Sequence, residues 1–264
     1  MKSTQIKSED VSTAVRMAEL AGLILLESGA ETSRVEETVD RILDSSGYPE
    51  SDVLSLPTGL FLTVRKDGEA IFSSVRRVST RSVNLQKVCA VNNLSRLYVE
   101  GSIDVEEALH NLELLDSAEP DQKLLPVSLV TAFSVFFFAM LFRGGLAECL
   151  ISALCGFITG ALVFKLKKIS IYGFAVSFAG GAVSAALTLL SSAIIPSIRT
   201  DLVISSVIMP LLSGLALTNA IRDTIFGDLV SGTARLAEAL VTAVAVAFGA
   251  GVVLIVFSLL GGSV

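Results

Sequence analysis

Long apolar runs fill the second half of the chain, whereas the first third alternates apolar and polar positions. Residues 146–164 carry a single charge, Glu148, and four other stretches carry none: 124–142, 169–198, 202–221 and 239–264. A helix needs about 20 apolar residues to cross the hydrocarbon core of a bilayer. The pattern therefore predicts five membrane spans, near residues 124–142, 146–164, 171–191, 202–221 and 236–260.

The first 120 residues have the spacing of a small α+β domain. Apolar residues recur at helical intervals at its start, at Val11, Val15, Ala18, Ala21 and Leu25. Gly29 is a suitable C-terminal stop for this first helix. Ser33 and Glu36 have the S-x-x-E spacing of a capping box, which predicts that a second helix opens there.

Strand-like sequence follows over residues 53–78, around a KDG turn that is typical of a β-hairpin. Residues 84–101 and 104–116 return to helical spacing. We therefore expect an α+β domain over residues 1–120 and a helical transmembrane bundle over residues 121–264.

Charge divides the chain at the same place. Residues 1–123 hold 13 basic and 21 acidic residues, a net charge of −8, whereas residues 124–264 hold 7 basic and 5 acidic residues, a net charge of +2. Short loops rich in Lys and Arg stay in the cytoplasm. An N-terminus inside and a C-terminus outside place most basic loop residues inside, at Lys165, Lys167, Lys168, Arg222 and Arg235, with Arg143 and Arg199 outside. The start, MKSTQIKSED, has no apolar run and is not a signal peptide. These features predict a multi-pass protein of the cytoplasmic membrane, in contact with lipid.

Candidate catalytic chemistry is sparse. The one histidine, His110, lies among glutamates in a helical segment, and the three cysteines, Cys89, Cys149 and Cys155, lack the spacing of a metal site. The sequence has no G-x-S-x-G motif and no Walker lysine loop. We expect no enzyme activity, no cofactor, no metal and no nucleic-acid partner.

Small residues and a proline mark special points in the predicted spans. Ser152, Gly156 and Gly160 fall four apart, as do Gly173, Ser177 and Gly181. Such rows let membrane helices approach closely. Pro210 and Gly214 interrupt the fourth span and predict a break or kink there. Transporters build substrate sites at broken helices, although a plain kink explains these two residues equally well.

Polar residues are concentrated near the C-terminal end of the fourth span and the start of the fifth. Asn219 and Asp223 share a helical face with Arg222 beside them. If residues 228–242 are helical, five polar residues form one stripe that runs into the fifth span: Asp228, Ser231, Arg235, Glu238 and Thr242. Ionisable groups that reach into a bundle line aqueous pathways or proton relays. A solvated loop with basic anchors is the alternative.

The segment PLLSGLALTNAIRDTIFGDLVSGTARLAEAL resembles the signature of the threonine/serine exporter (ThrE) family. SGAETSRVEE resembles the GAE-x-x-x-VE segment of that family, through Gly29, Ala30, Glu31, Val35 and Glu36, and TRSVNLQKVCAVNNL resembles a third segment. The resemblance implies an inner-membrane exporter of small hydrophilic metabolites, threonine and serine or a dicarboxylate such as succinate, driven by an ion gradient. It also implies that the chain is an N-terminal half, which needs a separate C-terminal-half subunit or pairs with itself.

On this basis we expect Gly214, Thr218, Asn219 and Asp223 to bind the substrate. Asp223 or Asp228 would carry the coupling proton, and Arg235 and Glu238 would form a gating pair. Other readings stay open. The chain could be a channel, a membrane-bound enzyme, or a sensor subunit whose acidic N-terminal domain binds ligand without flux.

Overall fold

The computed structural model describes residues 13–79, 81–118, 122–169 and 173–261. In these residues helices dominate, with one small sheet near the N-terminus. The helices are α1 Thr13–Glu27, α2 Thr32–Ser45, α3 Leu85–Val99, α4 Val105–Ser117, α5 Leu124–Leu141, α6 Leu146–Lys168, α7 Gly173–Ile194, α8 Thr200–Ile208, α9 Gly214–Phe226 and α10 Leu229–Leu259. The strands are β1 Ser51–Leu56, β2 Gly59–Lys66 and β3 Glu69–Arg77, and a 3₁₀ turn covers Met209–Leu211.

Contacts group the chain into two compact units. The first unit joins Met1–Pro120 with Thr218–Arg235, and the second joins Asp121–Leu217 with Leu236–Val264. The predicted boundary between residues 120 and 121 lies outside the described residues, as does Val11 of the first predicted helix. The sequence did not predict that the segment Thr218–Arg235 packs with the N-terminal residues.

The core of the first unit lies between α1 and one face of the sheet. Met17 and Leu25 of α1 are fully buried, as are Leu60 and Val64 of β2. The strands are antiparallel in the order β1-β2-β3. The KDG turn joins β2 to β3 with positive φ at Asp67 and Gly68, as a type I′ hairpin requires. The predicted hairpin is confirmed, and β1 adds a third strand.

The start of α2 differs from its prediction. The helix begins at Thr32 with Glu31 as its N-cap residue, and no side chain caps it. The predicted Ser33–Glu36 capping box is therefore wrong. The carboxylate of Glu36 instead accepts a hydrogen bond of 2.8 Å from the backbone N–H of Ser55. Strand β1 supplies this donor, which a pattern local to α2 cannot reveal.

In the described residues, four helices are long and apolar enough to cross a membrane: α5, α6, α7 and α10. A fifth span results if Thr200–Leu211 and Gly214–Phe226 count as one, with a bend of 59° between them. The predicted break at Pro210 and Gly214 is thus confirmed. The chain is a helical membrane protein, and the count of five spans stays a prediction. The first two residues of the predicted third span lie outside the described residues, and α10 begins seven residues before the predicted fifth span.

Small residues bring helices of the second unit together. A side chain at Gly156 or Gly160 would collide with Val135 or Thr131 of α5, which confirms the predicted small face of α6. The row predicted on α7 is only partly right. Gly181 packs against the backbone of Val246, whereas a side chain at Gly173, the first residue of α7, would meet nothing within 4 Å. The buried face of α7 continues instead through small residues one and two turns from Val176, at Gly180 and Ser184.

Candidate functional site

The connection between α1 and α2 is a sharp corner, here called the α1–α2 corner and formed by residues 28–32. Gly29 has a φ of +80°, the left-handed conformation that glycine adopts without strain. Its N–H donates to Leu26 O at 3.2 Å, and the N–H of Ala30 donates to Leu25 O at 3.0 Å. These two bonds are the Schellman arrangement that ends a helix. Gly29 therefore stops α1 as predicted and leaves the carbonyl oxygens of the corner free to accept other donors.

The end of α9 and the first turns of α10 lie close together in the first unit. Gly227 turns the chain with a φ of +98°, and the N–H of Asp228 donates to Asp223 O at 2.8 Å. A Cβ at Gly232 would lie 2.9 Å from Ala220 O, so glycine is required where the two helices cross. This close approach aims the first turns of α10 at the last turns of α9.

A buried ion pair joins these two helices. Arg235 Nε lies 3.0 Å from Asp223 Oδ2, and the two side chains are only 7% and 2% exposed. Removing two charges from water costs several kcal/mol for each ion, which the attraction between them offsets only in good geometry. A buried pair of this kind contributes little net stability, whereas removing one partner leaves an unpaired buried charge.

The α1–α2 corner covers this ion pair with its backbone. Arg235 Nη2 donates to Ala30 O at 2.7 Å, and the backbone N–H of Thr32 donates to Asp223 Oδ1 at 3.3 Å. Asn219, itself 5% exposed, donates from Nδ2 to Gly29 O at 3.0 Å. The site is therefore built from two segments that lie about 190 residues apart along the chain.

At the rim of the site, Arg222 forms an ion pair with Glu31. Arg222 is 55% exposed, so this pair is screened by water and weaker than the buried one. Within the corner, the side chain of Thr32 is buried beside the carboxylate of Asp223.

Carboxylates gather on the α2 side of the site. Burial raises the pKa of Glu36, and the negative charges of Asp228, Asp40 and Asp223 raise it further, while the N–H of Ser55 acts in the opposite direction. Asp228 is half-buried at the start of α10. This region can hold a proton on Glu36 at a higher pH than an exposed glutamate can.

The structure brings together three of the predicted site residues, Asn219, Asp223 and Arg235. Gly214, Thr218 and Glu238 are exposed. The carboxylate placed against the Arg235 guanidinium is that of Asp223, so the pairing of Arg235 with Glu238 as a gate stays a prediction. The roles given to the remaining residues also stay predictions.

Sequence reasoning missed that the segment around Gly29 completes the site. The sequence held one signal of this contact. Two of the three segments that resemble the ThrE family, those around Gly29 and Asn219, meet here. Among the described residues, no group of three His, Cys, Asp or Glu side chains is arranged to hold a metal ion. The arrangement offers hydrogen bonds and charge: a guanidinium and an amide as donors, and a carboxylate as acceptor.

Comparison with known proteins identifies the class of this protein. Residues 16–257 match the model of the ThrE family, described as "Putative threonine/serine exporter", and the chain belongs to that family. It is a membrane protein of a transporter family, not of an enzyme family.

Curated relatives are distant in sequence. The chain is 23% identical over 228 residues to a "Probable threonine/serine exporter" of Mycobacterium tuberculosis, with 86% of this chain and 42% of the relative covered. It is 24% identical over 260 residues to the "Probable succinate transporter subunit YjjP" of Escherichia coli, with 97% and 99% covered. A protein of the same name from Klebsiella aerogenes is 23% identical, again with 97% and 99% covered. The chain therefore spans less than half of the Mycobacterium relative. No solved structure matches the chain.

Proposed function

We propose that this chain is one subunit of a secondary exporter that moves small carboxylate-bearing metabolites out of the cell. The observation that carries the proposal is the buried pair of Asp223 and Arg235, which joins two helices of a transporter-family protein. Buried charges in membrane transporters mark substrate or ion pathways. A guanidinium binds a carboxylate with two parallel hydrogen bonds, which makes Arg235 a suitable receptor for such a cargo.

In the proposed cycle the carboxylate of the cargo binds Arg235 and the amide of Asn219. Asp223, released from its ion pair, then holds the ammonium of an amino acid or takes up the coupling proton. Thr218, which precedes Asn219 in α9, is a further candidate for binding the cargo. Gly214 is a candidate because a broken helix frees backbone groups for a ligand. Asp228 is the second candidate for the coupling proton, and Arg235 and Glu238 are the candidates for a gating pair.

Threonine and serine suit the site because they carry both a carboxylate for Arg235 and an ammonium for Asp223. A small dicarboxylate such as succinate is the second candidate. It is favoured by the match over nearly the full length of a relative named as a succinate transporter subunit. With a dicarboxylate, the second carboxylate of the cargo would approach Asp223 only if one of the two is protonated.

The difference in coverage supports a divided transporter. The chain matches 42% of the Mycobacterium exporter but 99% of the E. coli subunit. We infer that a separate membrane subunit, or a second copy of this chain, completes the pathway. The basic loop residues support an orientation with the N-terminus in the cytoplasm and the C-terminus outside, so that exported cargo enters from the side of the N-terminal residues.

Flux in proteoliposomes tests the proposal. The chain is reconstituted alone and with a candidate C-terminal-half subunit, and labelled threonine, serine and succinate are followed with and without a proton gradient. We expect gradient-dependent flux that Asp223→Asn abolishes while the protein still folds. Asp201→Asn is the matched control, since Asp201 is an exposed carboxylate in the first turn of α8. Full flux in the Asp223→Asn variant would disprove the role of this residue.

A further inference from the structure

The contacts of the α1–α2 corner have a specific chemical character. Two consecutive carbonyl oxygens, those of Gly29 and Ala30, accept hydrogen bonds from Asn219 and Arg235. The backbone N–H of Thr32 donates to the carboxylate of Asp223. All three contacts use backbone atoms of the corner, and all three engage side chains of α9 and α10.

These backbone groups match the polar groups of a small carboxylate ligand. Two neighbouring oxygens satisfy the amide and the guanidinium, as the two oxygens of a carboxylate would. The N–H of Thr32 donates to the carboxylate of Asp223, which is the acceptor that an ammonium or a carboxylic acid proton of the ligand would use. A ligand and the corner cannot satisfy the same donors of Asn219 and Arg235 at the same time.

We propose that the α1–α2 corner is a built-in competitor of the transported molecule, which holds the site closed until a carboxylate ligand displaces it. This inference rests on the proposed function for the identity of the ligand. It assigns the first unit a task, since its corner occupies the site from the side of the N-terminal helices and regulates access to it.

Two features make the corner displaceable. Its contacts with the site come from the backbone, so a ligand that offers the same acceptors and donor can replace them. The ion pair between Glu31 and Arg222 at the rim is partly exposed, and such pairs are weak.

Chemical labelling of position 32 tests the inference. Thr32→Cys is nearly isosteric, and the side chain at this position is buried while the corner is in place. It is combined with Cys89→Ser, because Cys89 is exposed. A hydrophilic maleimide added to the full chain in proteoliposomes then reacts with Cys at position 32 only when the corner lifts. The Cys89→Ser chain without the new cysteine gives the background.

Charge reversal at the rim provides the first comparison. We expect Glu31→Arg and Arg222→Glu each to speed labelling by about two- to fivefold, the range that loss of one partly exposed ion pair predicts. The double reversal restores an opposite-charge pair and should return labelling to the slow rate. The inference is overturned if the single reversals leave the labelling rate unchanged, or if the double variant is still labelled fast.

Ligand addition provides the second comparison. Threonine, serine or succinate at saturating concentration should speed labelling of the parent, because the ligand takes the donors of Asn219 and Arg235. Threoninol, which lacks the carboxylate, should not. If no carboxylate speeds labelling, or threoninol acts equally well, competition is excluded. If both labelling effects appear but the chain moves none of these compounds, either alone or with its candidate C-terminal-half subunit, the proposed export function is overturned and this inference stands.

Discussion

Two arginine–carboxylate pairs of this chain have the same chemistry and opposite environments. Arg235 and Asp223 are buried in the first unit, at 7% and 2% exposure. Arg199 and Glu148 of the second unit lie 3.2 Å apart, but Arg199 is 51% exposed. Arg199 also donates to the carbonyl oxygen of Arg143 and so ties a loop to α6. The two pairs therefore differ in the free energy that desolvation costs. This cost is high for the buried pair and low for the exposed pair, which holds a loop against α6.

The largest effect should come from breaking the buried pair. Arg235→Met leaves the carboxylate of Asp223 buried and unpaired, which we expect to cost about 3–5 kcal/mol in the free energy of unfolding. The double variant Asp223→Leu with Arg235→Met should recover most of this stability, because two apolar side chains need no solvation. Denaturation in detergent measures both. Flux should be lost in both variants, and a double variant that transports would show that the pair serves packing alone.

A smaller effect should follow from spacing α9 and α10 apart. Gly232→Ala places a Cβ against Ala220 O and the side chain of Thr224, and overpacking of this kind costs about 1–3 kcal/mol. Gly251→Ala on the same helix is the matched control, since a Cβ there meets nothing within 4 Å. Equal unfolding free energies for the two variants would contradict the proposed crossing point.

The pH dependence of stability should reveal the raised pKa of Glu36. Burial raises its pKa above the ordinary value of 4.5, so the folded chain binds more protons than the unfolded chain above that pH. Stability due to Glu36 therefore falls as pH rises through the raised pKa. Relative to the parent, Glu36→Gln should gain stability as the pH rises above about 4.5, because glutamine does not titrate. Thermal unfolding of both chains across this range measures the difference, and a difference that stays flat would count against the buried carboxylate.

The smallest effect should come from the exposed pair. Arg199→Gln removes both its ion pair with Glu148 and its bond to Arg143, and we expect a loss of about 0–1 kcal/mol. This variant and Arg235→Met each remove an arginine from an ion pair, and the two arginines differ in burial. A loss at Arg199 as large as that at Arg235 would remove the distinction between the two pairs.

Sequence patterns predicted the elements whose causes are local. The KDG turn needs two residues with positive φ, and Asp67 and Gly68 supply them. The stop at Gly29 and the break between Pro210 and Gly214 depend on single residues and were likewise predictable. The long apolar helices followed from composition alone.

The missed features depend on tertiary contacts. Glu36 seemed to cap its own helix, but strand β1 offers it the N–H of Ser55. The ion pair of Arg235 joins it to Asp223 of the preceding helix, a partner that the spacing within α10 does not indicate. The contact of Asn219 with Gly29 spans 190 residues and leaves no periodic signal.

The distance along the chain between the two halves of the site sets an order for its assembly in the cell. The ribosome must add about 190 residues between Gly29 and Asn219. At roughly 5–20 residues per second this takes on the order of 10–40 s. Asp223 and Arg235, by contrast, are made within moments of each other and can pair as soon as α10 starts to form. The contacts of the α1–α2 corner with Asn219, Asp223 and Arg235 can form only after α5 to α8 have been synthesised. A chain that stalls during insertion would therefore lack these contacts.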